Sequence, residues 1–252
     1  MSILHLGLLV LAGVGGGLSG SVAGLASLVT YPALLGVGLA PVAANVTNTV
    51  ALVAQGSGAL LGSRPELVGQ RARIRRLAAV SVGGGAAGGL LLLLTPAGSF
   101  ALVVPWLIAV ASFGVLIRPR ALTSAGSPGP APADSRLLEA ATFVVAAYGG
   151  YFGAAAGVMM LALLMAGTDE PLARSNAAKN VLLGTANAVA AVAFIVFGPV
   201  HWEAVVPLGV GLFAGGWLGP RVVRRVPAGP LRLLIALGGI GLAVHLGVDA
   251  YG

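Results

Sequence analysis

Cysteine is absent from this chain of 252 residues, so disulfides, thiolate metal sites and cysteine nucleophiles are all excluded. Histidine occurs three times, at His5, His201 and His245, with no spacing that would gather a metal ion. Charge is scarce. Only 8% of residues are Asp, Glu, Lys or Arg, against about 25% in a soluble domain. The first charged side chain is Arg64, and the uncharged stretch before it far exceeds the roughly 20 apolar residues that one membrane span needs. Lysine appears once, at Lys179. Met1 to Leu6 has no cationic segment, which argues against a cleaved signal peptide.

What remains is 58% apolar and contains 40 glycines, a composition suited to closely packed and broken helices in lipid. The net charge of +7 does not indicate nucleic acid, because the basic residues form short clusters between apolar runs rather than one basic face. Those runs predict an all-α integral membrane protein, multi-pass, with its basic clusters as cytoplasmic loops at an inner (plasma) membrane.

The chain reads as two copies of one unit. Gly17-Leu-Ser-Gly20-Ser-Val-Ala-Gly24 aligns with Gly150-Tyr-Phe-Gly153-Ala-Ala-Ala-Gly157. Pro41 through Asn45 to Thr49 aligns with Pro171 through Asn176 to Asn180. Ala86-Ala-Gly-Gly89 aligns with Phe213-Ala-Gly-Gly216, and Pro96-Ala-Gly98 with Pro227-Ala-Gly229, always at a shift close to 131 residues (Asn45 to Asn176, for example). Repeats in constant order define units at 1–118 and 136–252, joined by a Pro- and Gly-rich linker at 119–135.

Arginine placement predicts topology. Twelve of the fourteen Arg and Lys residues fall within Arg64–Arg76, Arg118–Arg136 and Arg221–Arg232, which are therefore expected on the cytoplasmic side. Spanning helices follow near Val42–Gly62, Leu77–Leu94, Phe100–Ile117, Ala177–Phe197, Ala204–Gly219 and Leu231–Val248. Arg64–Arg76 is basic while its counterpart Pro199–Glu203 is not, and the bias reverses around Pro96 and Pro227. The copies are thus expected in opposite orientations, as inverted-topology repeats. Parity then requires Ile3–Leu39 and Leu137–Gly167 each to enter and leave on one side, with both chain termini outside. At 1.5 Å per residue the latter stretch makes two helices of roughly 23 Å, short of a 30 Å hydrocarbon core, so a broken or re-entrant helical hairpin is expected before the three spanning helices of each copy.

The most polar stretch of one copy is also that of the other. Asn45, Asn48 and Thr49 share a helix face, and Asn176, Lys179 and Asn180 occupy the same positions in the second copy, with Gln55 and Asn187 further along. Lys179 falls about 12 Å inside the second helix, where a cation without water or a partner costs at least about 2.5–3.5 kcal/mol. No carboxylate lies at that depth, so Lys179 beside these amides suggests an anion site. Glycine-rich breaks would add backbone N–H groups to it. The competing readings are that the amides bond helix to helix and that Lys179 reaches the surface.

With two such halves, the Gly17-x-x-Gly20 motif leading to Pro32, the repeated Pro41–Thr49 stretch, and Trp202 leading to Gly215-Gly-Trp-Leu-Gly219, the chain resembles the sulfite exporter TauE/SafE family of bacterial anion transporters. The resemblance implies a secondary transporter, in the export direction, for sulfite, a sulfonate or a related organic acid. Rocking of the two halves about a midplane site would give alternating access. An anion channel of the same fold is the alternative. An intramembrane enzyme lacks paired carboxylates or a Ser/His/Asp cluster. No cofactor is called for; the expected partners are the bilayer and a small anion, with the oligomeric state open, a homodimer included.

Overall fold

The computed structural model describes residues 1–116, 135–223 and 229–251. The linker and the Pro227 motif lie outside the described residues, as do Arg118, Arg120, Arg224 and Arg225. Every element in the described residues is helical: α1 (Ile3–Ala23), α2 (Ala26–Gly36), α3 (Pro41–Gly62), α4 (Arg71–Leu94), α5 (Ala97–Leu116), α6 (Ser135–Tyr151), α7 (Ala156–Gly167), α8 (Leu172–Phe197), α9 (Trp202–Val223) and α10 (Gly229–Tyr251), with a 3-10 turn at Arg64–Leu67 after α3. Among the described residues α1, α4 and α8 are long and apolar enough to cross a membrane on length and composition. The 22-residue α3 falls short on apolarity because Asn45, Thr47, Asn48, Thr49 and Gln55 interrupt its aliphatic run.

Local chemistry sets the helix ends. Ser2 caps α1 by accepting the His5 amide, and α1 stops at Gly24, whose φ of 75° only glycine adopts without cost. The break between α6 and α7 holds two left-handed residues, Gly153 at φ 75° and Ala155 at φ 56°, the second an unfavourable state for alanine. Both breaks therefore fall on the small-residue motifs. Pro41 opens α3 at its first turn, where its missing N–H costs nothing.

Helix starts and hairpin proportions differ from expectation. α4 starts at Arg71 rather than Leu77 and α8 at Leu172 rather than Ala177, so Arg71–Arg76 and Arg174 sit on helices, not in loops. Long arginine side chains can extend from a helix to the membrane edge, so their charge does not mark a loop. The hairpins also divide unequally. The 21 residues of α1 make about 31 Å and can span alone, whereas α2, with 11, makes about 16 Å. The second hairpin divides as 17 and 12 residues.

Glycines determine which helices touch. A Cβ on Gly13 or Gly17 of α1 would lie 2.4–2.5 Å from the Leu208 and Leu212 carbonyl oxygens of α9, so the two backbones are in direct contact along Gly13, Gly17 and Ser21 against Gly211, Gly215 and Gly219. The contacts advance together along both chains, so α1 and α9 are parallel. Gly58 and Gly62 of α3 meet Phe213 and Trp217 of α9 in the same sense. In a second group, Gly84 and Gly88 of α4 meet Phe143 and Ala147 of α6, and Gly85 and Gly89 meet Ala186 and Ala190 of α8, again parallel. α5 packs on α10, and α3 crosses α8 where Gly56 meets Gly184.

α8, at about 39 Å, joins α9 through only Gly198–His201, a link that reaches about 14 Å at most. α9 must begin where α8 ends and run back. Hence α1, α3 and α9 point one way and α4, α6 and α8 the other. Every arginine whose side chain is described lies at one end of this bundle, and the Met1 ammonium, bonded to Glu203 at 3.2 Å, lies at the opposite end. The C-terminal end of α10 is there too, with the Tyr251 hydroxyl donating to the Leu102 carbonyl.

Candidate functional site at two helix breaks

The two breaks meet. A Cβ on Gly24 would come within 2.3 Å of Gly157, and one on Gly157 within 2.3 Å of Gly24. These glycines end the two small-residue motifs, and the α1–α2 and α6–α7 turns are pressed together there backbone to backbone.

The matched asparagines hold these turns from across the repeats. Asn45 on α3 donates its Nδ2 to the Tyr151 carbonyl, the last of α6, at 2.8 Å. Asn176 on α8 donates its Nδ2 to the Ser21 carbonyl, near the end of α1, at 2.9 Å. Carbonyls in the last turn of a helix have no partner within it, so each amide satisfies an acceptor that the break would strand. Both asparagine Oδ1 atoms are buried without a donor.

Lys179 is 1% exposed, which excludes the surface-reaching alternative. Its ammonium donates to the Gly20 carbonyl at 3.0 Å and the Ser21 carbonyl at 3.3 Å. The expectation of a buried cation with no partner is therefore corrected. The partners are backbone oxygens at the negative end of a helix, an attraction that a search for carboxylates misses. Asn48 is engaged inside its own repeat, accepting from the Thr30 hydroxyl and donating to Ser27 Oγ at 3.2 Å. Thr49 returns its hydroxyl to the Asn45 carbonyl.

Of the six residues named from sequence, Lys179 and Asn180 line the cavity at the breaks, together with Ser27, Gln55 and Asn187. Asn45, Asn48, Thr49 and Asn176 stand behind it as supports. The cavity measures about 40 Å³, space for about three waters, so it fits a solute of few heavy atoms. Ala26 and Ser27, then Ala156 and Gly157, line it as well, which aims the N-terminal turns of α2 and α7 into it. Helix N-termini present unbonded N–H groups and a partial positive charge. Asn180 is 5% exposed and its Nδ2 has no acceptor. A cation, two helix N-termini and an unused amide donor thus surround one small space, an arrangement that attracts negative charge.

The ends of the bundle differ around this space. At the arginine-free end, the His201 amide donates to Thr47 at 3.1 Å and Gly198 lies against Val46, closing α3 onto the end of α8. Tyr31, Phe100, Tyr151 and Phe152 stack edge-to-face there, with centroids 5.3–6.0 Å apart. At the arginine end, Glu170 pairs with Arg174 and, at 3.0 Å, with Arg73. The hydrogen bond from Arg174, then the one from Arg73, hold its carboxyl below the usual range.

A family model described as sulfite exporter TauE/SafE matches residues 9–246. The probable membrane transporter protein YfcA of Escherichia coli (strain K12) is 26% identical, across 100% of this chain and 93% of its own length. The probable membrane transporter protein ORF9 of a Sinorhizobium species is 25% identical, across 91% of this chain and 87% of its own. No solved structure matches the chain significantly.

Proposed function

We propose that this chain, which belongs to the sulfite exporter TauE/SafE family, is a secondary transporter that exports a small oxyanion across a bacterial inner membrane. Sulfite, a sulfonate or a related organic acid is the substrate class, in keeping with the family's description and with relatives named as membrane transporters. The observation that carries the proposal is the cavity where the two breaks meet, with the unpartnered Asn180 Nδ2, Lys179 and the N-termini of α2 and α7 around it. Lys179 supplies charge, Asn180 a donor, and the remaining four sequence-named residues (Asn45, Asn48, Thr49 and Asn176) fix the backbone that encloses the anion.

An inverted repeat of 1–118 and 136–252 fits this site. Exchanging the copies maps the α1–α9 pairing onto α6–α4 and α3–α9 onto α8–α4, and α1 runs opposite to α6. The arginine end is assigned to the cytoplasm by its charge, which puts the termini outside. The aromatic closure at the far end supports a carrier over an open channel.

Purified protein titrated with sulfite, sulfate, thiosulfate, sulfonates and small carboxylates is expected to melt higher with its substrate, by mass action. Asn180→Leu, which removes a donor that bonds nothing in the resting protein, is expected to keep the unliganded melting temperature and weaken binding by about 1–3 kcal/mol. If no anion in the series raises the melting temperature or moves across proteoliposomes, the reading is wrong.

A further inference from the structure

We infer that the anion travels between the cavity and the arginine end along the groove between α3 and α8, and that Arg64, Arg71 and Arg75 form a vestibule that collects it. The inference rests on the anion-transport reading and names the path that reading requires.

Three spaces adjoin in sequence. The central cavity and a second cleft share Asn180. That cleft, between α3 and α8, is lined by Gly56, Ser57, Gly184 and Thr185. It shares Leu60 and Val181 with a third space, which Arg64, Arg71 and Arg75 line. The volumes rise from about 40 to about 210 to about 360 Å³ toward the arginines, the shape of a funnel. Gly56 and Gly184 let α3 and α8 meet backbone to backbone beside this cleft, since a Cβ on Gly56 would lie 3.1 Å from the Gly184 Cα. Ser57 is exposed and lies on α3 about 8 Å from the helix end. It and Thr185 place two hydroxyl oxygens in an otherwise largely apolar cleft, each hydroxyl donating to a carbonyl of its own helix, Val53 or Val181, at 2.9 Å.

The arginines divide by partner. Arg73, Arg76 and Arg174 each pair with a carboxylate, Glu170 or Glu139. Arg64, Arg71 and Arg75 have no carboxylate partner among the described residues, and they are the three that line the vestibule. Unneutralised charge at a narrowing mouth focuses anions and repels cations, raising the local anion concentration by about tenfold or more at low salt. The aromatic stacking toward the other end fits the same picture.

The natural absence of cysteine allows a direct test in whole protein in oriented membrane vesicles. Ser57→Cys and Thr185→Cys are each treated, from either side, with a sulfonate-bearing and a trimethylammonium-bearing thiosulfonate reagent. Both thiols are expected to react from the arginine side only. The anionic reagent should be favoured about tenfold over the cationic one relative to a free thiol, and the preference should collapse in Arg64→Gln/Arg71→Gln/Arg75→Gln. Raising salt with the arginines intact should collapse it equally, which covers a triple variant that fails to fold. Thiols that react with apolar N-ethylmaleimide but with neither charged reagent would mean a lipid-filled groove and overturn the inference. Labelling from the far side, or a preference indifferent to both arginines and salt, would overturn it too. Because labelling needs no transported substrate, failure to carry sulfite would count against the transport reading and leave the route standing.

Discussion

Asn45 and Asn176 sit at matched positions, and each gives its amide to a carbonyl that a broken helix would otherwise strand. They are not equally indispensable. The Ser21 carbonyl keeps Lys179 if Asn176 is removed, whereas Asn45 is the side chain that serves Tyr151. Asn45→Ala is therefore expected to lower stability by about 1–3 kcal/mol and Asn176→Ala by less, read as thermal unfolding in detergent. Equal losses would contradict this account of the two breaks. At this scale the sequence reveals the polar stretch, because it recurs at one spacing in both copies. It does not reveal which amide faces the cavity and which faces a carbonyl. The carbonyls belong to the other repeat, 106 and 155 residues away, and no local pattern reports such a neighbour.

Helices and their breaks are more legible than their lengths. The glycine motifs locate both turns, since a left-handed residue is needed where each first helix stops. Equal hairpin arms do not follow, because α1 continues until Gly24 ends it and so takes most of the stretch. The same glycines act between elements. Gly17→Leu would drive a side chain into the α9 backbone, whose Leu212 oxygen is 2.5 Å from the Cβ position, and is expected to destabilise by more than the roughly 1–3 kcal/mol of ordinary overpacking. Gly7→Leu, on the same helix with nothing within 4 Å, is the neutral control. The yield of folded protein after detergent extraction separates the two, and similar yields would mean that α1 and α9 are not tightly docked.

Across the whole molecule, the packed units are not the repeats. α9 docks on α1 and α3, and α4 on α6 and α8, so each copy lends one helix to the other's bundle. We propose that any rocking during transport moves these mixed bundles against each other about the α3–α8 crossing. Residues 1–118 and 136–252 produced as separate chains are accordingly expected to be unstable alone and to form one folded complex when co-expressed. Two independently stable fragments would refute the exchange. The glycine face of α1 also has a consequence for biosynthesis. α1 leaves the ribosome well before its partner α9, which follows some 200 residues later, about 10–40 s at ordinary translation rates. Throughout that wait the insertion machinery must hold or shield a helix whose docking surface has nothing yet to meet. Slowed elongation in the second half, or depletion of an insertase chaperone, should therefore harm this protein sooner than one whose first helices pair as they emerge.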